Sequence, residues 1–456
     1  MTDTIAAIAT PPGSGALAVL RLSGPEALRT AAAALHLDAG AWTPRQAVVA
    51  SVHDQSGPLD QVVAVYFPGP RSATGEDLVE ICCHGSPYIQ KKILSALMES
   101  GAQPARPGEF TQRAFLNGRL DLAQAEAVCD LIAAGTEAAH RTALRQLQGG
   151  LSREIARLRR PILDSLVELE AGLDHPEEDI PACPAHEAAV RFLRLAEPIG
   201  LLADTFRSGR LLREGARICI VGRPNAGKSS LLNALLGCDR AIVCEEPGTT
   251  RDTIEEPCDL GGLPALLIDT AGLGLDPRSP ADAASLLRTD QALNTSDLTL
   301  LLIDGARPQT EGDAAVHRSI LESSARHGRQ VLTVLSKSDL GPRPQPGLGA
   351  DCTVSSRDGC GLPELRRLLR TRLAPDHGRP SASDTAVTSQ RHHDALRRCG
   401  RELRAAAAAA DRQPGCWEEL AARHLRDALA ALDEVTGPAA PDELLQEIFS
   451  RFCLGK

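Results

Sequence analysis

Hydrophobic residues in the first quarter of the chain occur in short runs separated by turn-forming segments. Leu17–Leu22 and Gln61–Phe67 have the length and composition of β-strands. Pro11–Gly15 and Phe67–Pro70 carry the proline and glycine that close turns. The pattern predicts a compact α+β domain over residues 1–118.

The apolar spacing changes at about residue 119, where hydrophobic positions begin to recur every three or four residues. One such stripe extends from Leu144 to Leu169, as is typical of helices packed in a bundle. Gly149, Gly150 and Pro161 interrupt the stripe, so we expect a break or a kink rather than one straight helix. Helical spacing returns near residue 388 and continues to the end of the sequence.

Between these helical parts, residues 215–375 alternate apolar strands with amphipathic helices. That alternation predicts a doubly wound, mostly parallel sheet. Because helical pattern flanks it on both sides, the simplest interpretation is an α/β domain inserted into a discontinuous helical domain. The helical domain would then consist of residues 119–214 and 376–456, in a multidomain α/β and α+β fold.

Composition limits the classes of function. The net charge of −10 disfavours binding of nucleic acid by a broad basic surface, so any such contact must be a local patch or be shared with a partner. The thirteen cysteines are scattered, without paired CxxC units, which favours reduced thiols. No secretion signal and no apolar run of about eighteen residues is apparent. We therefore expect a soluble cytoplasmic protein with no membrane association.

The segment Gly222–Ser230 has the sequence and the setting of a phosphate-binding loop. It follows the apolar run Ile218–Val221 and precedes the helical run Leu231–Leu236, giving strand, glycine loop and helix. Such a loop turns backbone N–H groups toward a phosphate. Lys228 can reach the outer phosphates, and Ser229 can bind Mg²⁺.

Later motifs indicate guanine nucleotides. Thr250, in a loop after the phosphate loop, could complete the Mg²⁺ shell when a γ-phosphate is present. Asp269 ends an apolar strand beside the metal's water shell, and Gly272 offers a backbone N–H to the γ-phosphate. Asp339 can accept both the N1–H and the exocyclic amine of guanine, a pattern that adenine lacks. Ser355–Arg357 can support the base with a main-chain N–H.

The first domain contains two further polar features. Arg21 lies within an otherwise apolar strand, where an unpaired cation would be costly, so it should meet an acidic side chain or an anionic ligand. Acidic residues occur before and within the strand that runs from Thr74 to His84. By themselves, these acids could equally serve the solubility of a strand edge.

Together, the motifs resemble those of the MnmE (TrmE) family of tRNA modification GTPases in order, spacing and ending over essentially the whole chain. The segments that carry the resemblance are Ala9–Gly13, Phe67–Pro70, Thr74–Asp77, Arg106–Phe110, Arg113–Asn117, Leu120–Glu126, Gly222–Ser230 and the terminal Phe452–Lys456. The resemblance implies modification of C5 of the wobble uridine of tRNA, performed together with the flavoprotein MnmG in a heterotetramer. It also implies a homodimer, a 5-formyltetrahydrofolate-type one-carbon donor, and a K⁺-dependent GTPase.

Carried onto this sequence, the family's folate contacts fall on Arg21, Glu80, Arg119 and Lys456. Arg119 stands where the family often has lysine, so the charge is kept but the geometry differs. Cys453 corresponds to the family's candidate reactive thiol; the alternative is a small buried hydrophobic residue near a helix end.

The resemblance also implies the ligands of the cations and of the nucleotide. Mg²⁺ would be held by Ser229 and Thr250. K⁺ would be held by Asn225, Cys244, Glu246 and Thr249. The full set expected to contact GTP is Asn225, Ala226, Gly227, Lys228, Ser229, Ser230, Cys244, Glu245, Glu246, Pro247, Gly248, Thr249, Thr250, Asp269, Thr270, Ala271, Gly272, Ser336, Lys337, Ser338, Asp339, Ser355, Ser356 and Arg357.

Two positions depart from the family pattern. The glutamate that orients the attacking water would stand at position 281, which is Ala281 here, so Asp282 is the catalytic candidate; it could equally be an acid at a helix N-terminus. Ser336 replaces an asparagine, and loss of the amide would loosen the tie between the base-reading segment and the phosphate loop. Both changes bear on rate and affinity more than on the identity of the nucleotide.

Two other functions remain open from the sequence. One is a ribosome-assembly or translation GTPase, whose mark would be a basic RNA-binding appendage that this acidic chain lacks. The other is a regulatory GTPase without one-carbon chemistry. Such a protein would tolerate loss of the Cys453 thiol.

Overall fold

The computed structural model describes residues 3–54, 57–174, 183–237, 254–269, 293–308, 310–326, 329–341, 349–374, 386–412, 416–437 and 441–455. The chain divides into two compact units. One comprises residues 1–129, 147–156 and 429–456, and the other comprises residues 130–146 and 157–428.

The first unit is built on a six-stranded sheet with strand order β3-β4-β5-β2-β1-β6. Its strands are β1 (Ile5–Ile8), β2 (Leu17–Ser23), β3 (Ala47–Asp54), β4 (Gly57–Phe67), β5 (Leu78–His84) and β6 (Gln103–Pro104). Neighbouring strands are antiparallel except for β1 and β6, which are parallel. The two strands predicted from the apolar runs correspond to β2 and β4.

One face of this sheet is covered by helices because alternate strand residues are apolar. Leu20 and Leu22 of β2 and Ile81 of β5 point into that core with Ile93 and Leu97, which lie on a helix. The helices in this part of the chain are α1 (Ala27–Ala34), α2 (Pro87–Glu99), α3 (Glu109–Leu116) and α4 (Leu122–Ala133). The result is the α+β arrangement that the sequence predicts.

The break expected in the helical stripe falls at Gly149 rather than at Pro161. Helix α5 (Glu137–Leu147) ends before Gly149, whose φ is 77°, and α6 (Gly150–Asp174) starts after it. Pro161 lies inside α6, which continues past it. Two further helices, α7 (Ala185–Asp204) and α8 (Phe206–Glu214), lead to the nucleotide-binding part of the chain.

The second unit contains a six-stranded sheet with strand order β12-β11-β10-β7-β9-β8. Its strands are β7 (Ala216–Val221), β8 (Ile254–Asp259), β9 (Pro264–Asp269), β10 (Leu298–Asp304), β11 (Gln330–Ser336) and β12 (Cys352–Thr353). All pairs are parallel except β8 with β9. Helices α9 (Lys228–Leu236), α10 (Glu311–Arg326) and α11 (Leu362–Leu373) accompany these strands.

The chain returns to helices after this sheet. These are α12 (Gln390–Arg412), α13 (Trp417–Thr436) and α14 (Asp442–Ser450). The returning segment is bonded to residues that precede the sheet. The side-chain amide of Gln146 donates to the Ala386 carbonyl at 2.9 Å, and the Val387 N–H donates to the Thr205 hydroxyl at 3.0 Å. The α/β domain is therefore an insertion between two helical parts whose ends meet.

Candidate nucleotide-binding site

The phosphate loop connects β7 to α9, as expected from its sequence. Gly222 is required by close packing, because a Cβ there would lie 2.4 Å from the Leu302 carbonyl oxygen. Lys228 is 8% exposed, and its Nζ donates to the carbonyl oxygens of Gly222 and Arg223, each at 3.2 Å. Desolvation by burial lowers the pKa of Lys228, while the charge of Asp269 opposes that shift. The lysine therefore folds back across its own loop, and its charge is poorly compensated there.

The carboxylate at the end of β9 faces the start of α9. The Ser229 hydroxyl donates to Asp269 Oδ2 at 2.8 Å. Asp269 Oδ1 is buried and has no hydrogen-bond partner among the described residues. An unpartnered carboxylate oxygen beside a serine hydroxyl provides the hard oxygen ligands that Mg²⁺ prefers. These residues fit the metal expected from the sequence.

The segment that follows β11 is bonded directly to the phosphate loop. The Ser336 hydroxyl lies 2.7 Å from the Ala226 carbonyl oxygen and 3.1 Å from that of Ile303. Lys337 Nζ donates to the Asn225 carbonyl oxygen at 2.8 Å. Both Asn225 and Lys337 have positive φ, 65° and 60° respectively. The serine thus retains a tie that its replacement of asparagine was expected to loosen.

The base-reading carboxylate is held by the loop after β12. The buried Ser355 hydroxyl donates to Asp339 Oδ1 at 3.1 Å, and it accepts the Arg357 backbone N–H at 3.3 Å. Asp339 itself is exposed. An oriented, accessible carboxylate at this place can receive the two N–H donors of guanine. Ser338 and Ser356 lie beside it, half-buried.

Asp304, at the end of β10, is a residue of this site that no motif in the sequence indicated. Its Oδ2 accepts Lys337 Nζ at 2.8 Å, and its Oδ1 accepts the Ala306 N–H at 3.0 Å. Lys337 therefore joins Asp304 to the carbonyl of Asn225. The available signal was a single carboxylate ending the apolar run Leu298–Ile303.

Several predicted site residues lie outside the described residues. They are Cys244, Glu245, Glu246, Pro247, Gly248, Thr249, Thr250, Thr270, Ala271, Gly272, Asp282 and Lys456. Their roles stay predictions. The other predicted nucleotide contacts, including Gly227 and the exposed Ser230 of the phosphate loop, come from the four loops described above.

In the first unit, Arg21 meets an acidic side chain, as its position in an apolar strand predicts. Its Nε and Nη2 donate to Glu80 Oε1 at 3.0 and 2.5 Å. The two residues are cross-strand neighbours on β2 and β5, and the Arg21 guanidinium lies 5.9 Å from the centre of the Phe110 ring. The side chains of Arg21 and Glu80 remain 22% and 33% exposed. An ion pair beside an aromatic ring is thus accessible to a ligand.

A buried ion network lies near this pair. Arg113, whose side chain is fully buried, bonds to Glu109 at 3.0 Å, to Glu76 at 3.1 Å and to Asp3 at 3.2 Å. Desolvation by burial lowers the pKa of Arg113, but the hydrogen bonds that it donates to Glu109 and Glu76 outweigh that effect, so the pKa is raised. The network joins residues more than one hundred positions apart in the chain.

The C-terminal tail packs against the end of β1. A Cβ on Gly455, whose φ is 86°, would lie 2.2 Å from the Ile8 carbonyl oxygen, so only glycine fits there. Cys453, two residues earlier, is exposed. Arg119 is exposed and lies next to Gly75, where a Cβ would lie 3.2 Å from the Arg119 Cγ.

A P-loop GTPase is defined by three features on one mostly parallel sheet. They are the phosphate loop, the carboxylate of Asp269 at the end of β9, and Asp339 after β11, which is held by Ser355. A family model described as the GTP-binding protein TrmE N-terminus matches residues 4–119, and another described as the MnmE helical domain matches residues 122–453. The chain belongs to the tRNA modification GTPase MnmE family.

Full-length relatives agree with this assignment. The tRNA modification GTPase MnmE of Akkermansia muciniphila is 40% identical over 467 residues, covering 100% of both chains. That of Geobacter sulfurreducens is 41% identical over 462 residues, covering 100% of this chain and 99% of the relative. The solved G domain of the T. maritima FeoB iron transporter is 27% identical, covering 34% of this chain and 98% of that one, with a TM-score of 0.27. At this score, the structural match adds nothing to the assignment.

Within the described ranges, none of the helices has the length and apolar character needed to cross a membrane.

Proposed function

We propose that this tRNA modification GTPase modifies C5 of the wobble uridine, adding an aminomethyl or carboxymethylaminomethyl group with a folate one-carbon unit. It would act as a cytoplasmic homodimer with the flavoprotein MnmG. The observation that supports the folate assignment best is the accessible Arg21–Glu80 pair beside Phe110. A carboxylate accepts the N–H donors of a pterin ring, and an aromatic side chain offers it a flat apolar contact.

For GTP hydrolysis, the chain supplies positioning and charge. Lys228 can leave the carbonyls of Gly222 and Arg223 for the outer phosphates, an exchange favoured by its incomplete compensation in the free loop. Ser229 and Asp269 Oδ1, which has no hydrogen-bond partner among the described residues, would hold Mg²⁺, which neutralises charge on the phosphates when bound. Asp339, oriented by Ser355, would select guanine.

We propose potassium dependence because of the backbone conformation and bonding of Asn225. Its backbone has positive φ, and its carbonyl accepts a hydrogen bond from Lys337. The backbone from which the Asn225 side chain extends is therefore held in place at the edge of the phosphate loop. An amide oxygen there is suited to a monovalent cation that offsets negative charge developing in the transition state. Cys244, Glu246 and Thr249 would complete that site. Asp282 is proposed to orient the attacking water.

The test is reconstituted modification of a tRNA transcript that has a wobble uridine, with MnmG, GTP and 5-formyltetrahydrofolate, followed by mass spectrometry of the nucleosides. Glu80→Gln should abolish the modified nucleoside while GTP hydrolysis continues, and Cys453→Ser should do the same if the thiol reacts. Glu26→Gln, at an exposed position of the same unit, is the matched control. Full modification by Glu80→Gln would contradict the folate assignment without touching the GTPase assignment.

A further inference from the structure

One face of helix α12 presents a row of arginines. Arg397, Arg398, Arg401 and Arg404 are all exposed. The opposite face is buried and includes Ala395, Leu396, Cys399, Leu403 and Ala406. Because residues three and four apart lie on the same side of a helix, Arg397, Arg401 and Arg404 form one stripe about 10 Å long at 1.5 Å per residue.

Few carboxylates on α12 itself could pair with the arginines of the stripe in place of an anionic ligand. Between Asp394 and Asp411, the single acidic residue is Glu402, and its carboxylate is bonded to His424 Nδ1 at 2.7 Å. Residues 405–410, which follow the stripe, are all alanine. On α12 itself, a phosphate backbone at Arg401 and Arg404 would therefore meet no unbonded carboxylate before Asp411 and no bulky side chain in the alanine run.

The arginines differ in whether they already form ion pairs within the protein. Arg397 Nη2 bonds to Asp204 Oδ1 at 2.5 Å. Arg401 and Arg404 make no ion pair within the part of the chain that the structure describes. Two unpaired guanidinium groups one helical turn apart on a chain with net charge −10 are a local basic patch of the kind that an acidic protein needs to bind a polyanion.

We propose that this arginine face of α12 binds the phosphate backbone of the tRNA substrate. The proposal rests on membership of the tRNA modification GTPases and not on the folate or potassium chemistry. Arginine matches phosphate oxygens through paired N–H donors. An anionic membrane is the less suitable partner, because the large exposed hydrophobic residues of the described chain include none on α12, whereas membrane-surface helices carry such residues beside their basic ones.

The proposal is tested by binding of an unmodified tRNA transcript to the full chain between about 50 and 200 mM salt. Each lost phosphate contact should reduce the slope of log K against log salt by about 0.7 to 0.9. Arg401→Gln combined with Arg404→Gln should therefore reduce the slope by about 1.4 to 1.8 and weaken binding about tenfold or more at low salt. GTP hydrolysis without tRNA should not change. The lysine pair Arg401→Lys with Arg404→Lys should restore most of the slope.

The matched control is Arg318→Gln with Arg326→Gln, which removes the same charge from exposed positions of α10. If the control lowers the slope as much as the α12 pair, the effect is one of net charge, and the proposal fails. It also fails if the wild-type chain does not bind the transcript, or if the α12 variant loses binding only to anionic lipid vesicles and keeps its tRNA slope.

Discussion

The Ser336 hydroxyl lies 2.7 Å from the carbonyl oxygen of Ala226, so the segment that reads the base is bonded to the loop that holds the phosphates. Ser336 is 2% exposed. The bond therefore operates away from water, where an unpaired carbonyl is costly. This short side chain performs the connection for which an asparagine amide was expected.

Ser336→Ala should weaken GDP and GTP binding to similar extents. Leaving the Ala226 carbonyl without this donor costs about 1–3 kcal/mol, and the central value corresponds to roughly a thirtyfold rise in Kd if the cost is borne by the nucleotide-bound state. Fluorescent nucleotide titration measures it. Ser319→Ala, at an exposed position of α10, is the matched control. An unchanged Kd would mean that the tie does not support the site.

Asp304 should act on nucleotide binding through Lys337. Asp304→Asn removes the charge that holds Lys337 Nζ at 2.8 Å, so the lysine's bond to the Asn225 carbonyl should weaken and nucleotide should dissociate several-fold faster. The measurement is a double-mutant cycle of nucleotide dissociation rates with Lys337→Ala. Asp304→Asn should have almost no further effect in the Lys337→Ala background. Additive effects would show that Asp304 works independently of the lysine.

Arg113→Leu should strongly destabilise the first unit. It leaves Glu76 without its cation and leaves Glu109 with the exposed Arg106 at 3.4 Å, and breaking such a buried network typically costs about 3–5 kcal/mol. Trp42 is buried in this unit, so urea unfolding can be followed by its fluorescence in a Trp417→Phe background. Arg29→Leu removes an exposed ion pair and should have a far smaller effect. Equal effects of the two variants would contradict the network's role.

Cys453 should react much faster than the buried thiols. Burial raises the pKa of Cys219 to about 12, so at pH 8 its thiolate fraction and its access are both very small. Cys453 is exposed, as are Cys360 and Cys416. Brief alkylation of the native protein with iodoacetamide, followed by peptide mass spectrometry, ranks the sites. Protection of Cys453 together with Cys219 would argue against an accessible thiol at the C-terminal tail.

The sequence predicts those parts of the fold and site that depend on local pattern. The phosphate loop between β7 and α9 was evident because glycine spacing and apolar runs are contiguous. The partner of Arg21 was predicted as a class, since a cation in an apolar strand must be paired, and Glu80 provides that pair.

What the sequence did not reveal depends on long-range packing. Asp304 contacts Lys337, thirty-three positions later, because parallel strands β10 and β11 end at the same edge of the sheet. In the sequence, Arg113 is one charged residue in a helix with other polar residues. Its burial and its ion pairs arise only when α3 packs against residues near the N-terminus. The arginines of α12 gain significance only when burial of the opposite face assigns them to solvent.

The most direct test of the account is the rate of GTP hydrolysis by the purified protein in K⁺ and in Na⁺ at matched ionic strength. Strong stimulation by K⁺, lost in Asn225→Ala, is the result expected if the fixed Asn225 and the loop containing Cys244, Glu246 and Thr249 assemble a cation site beside the phosphates. Equal and slow rates in the two salts would contradict cation-activated hydrolysis and would favour a regulatory GTPase.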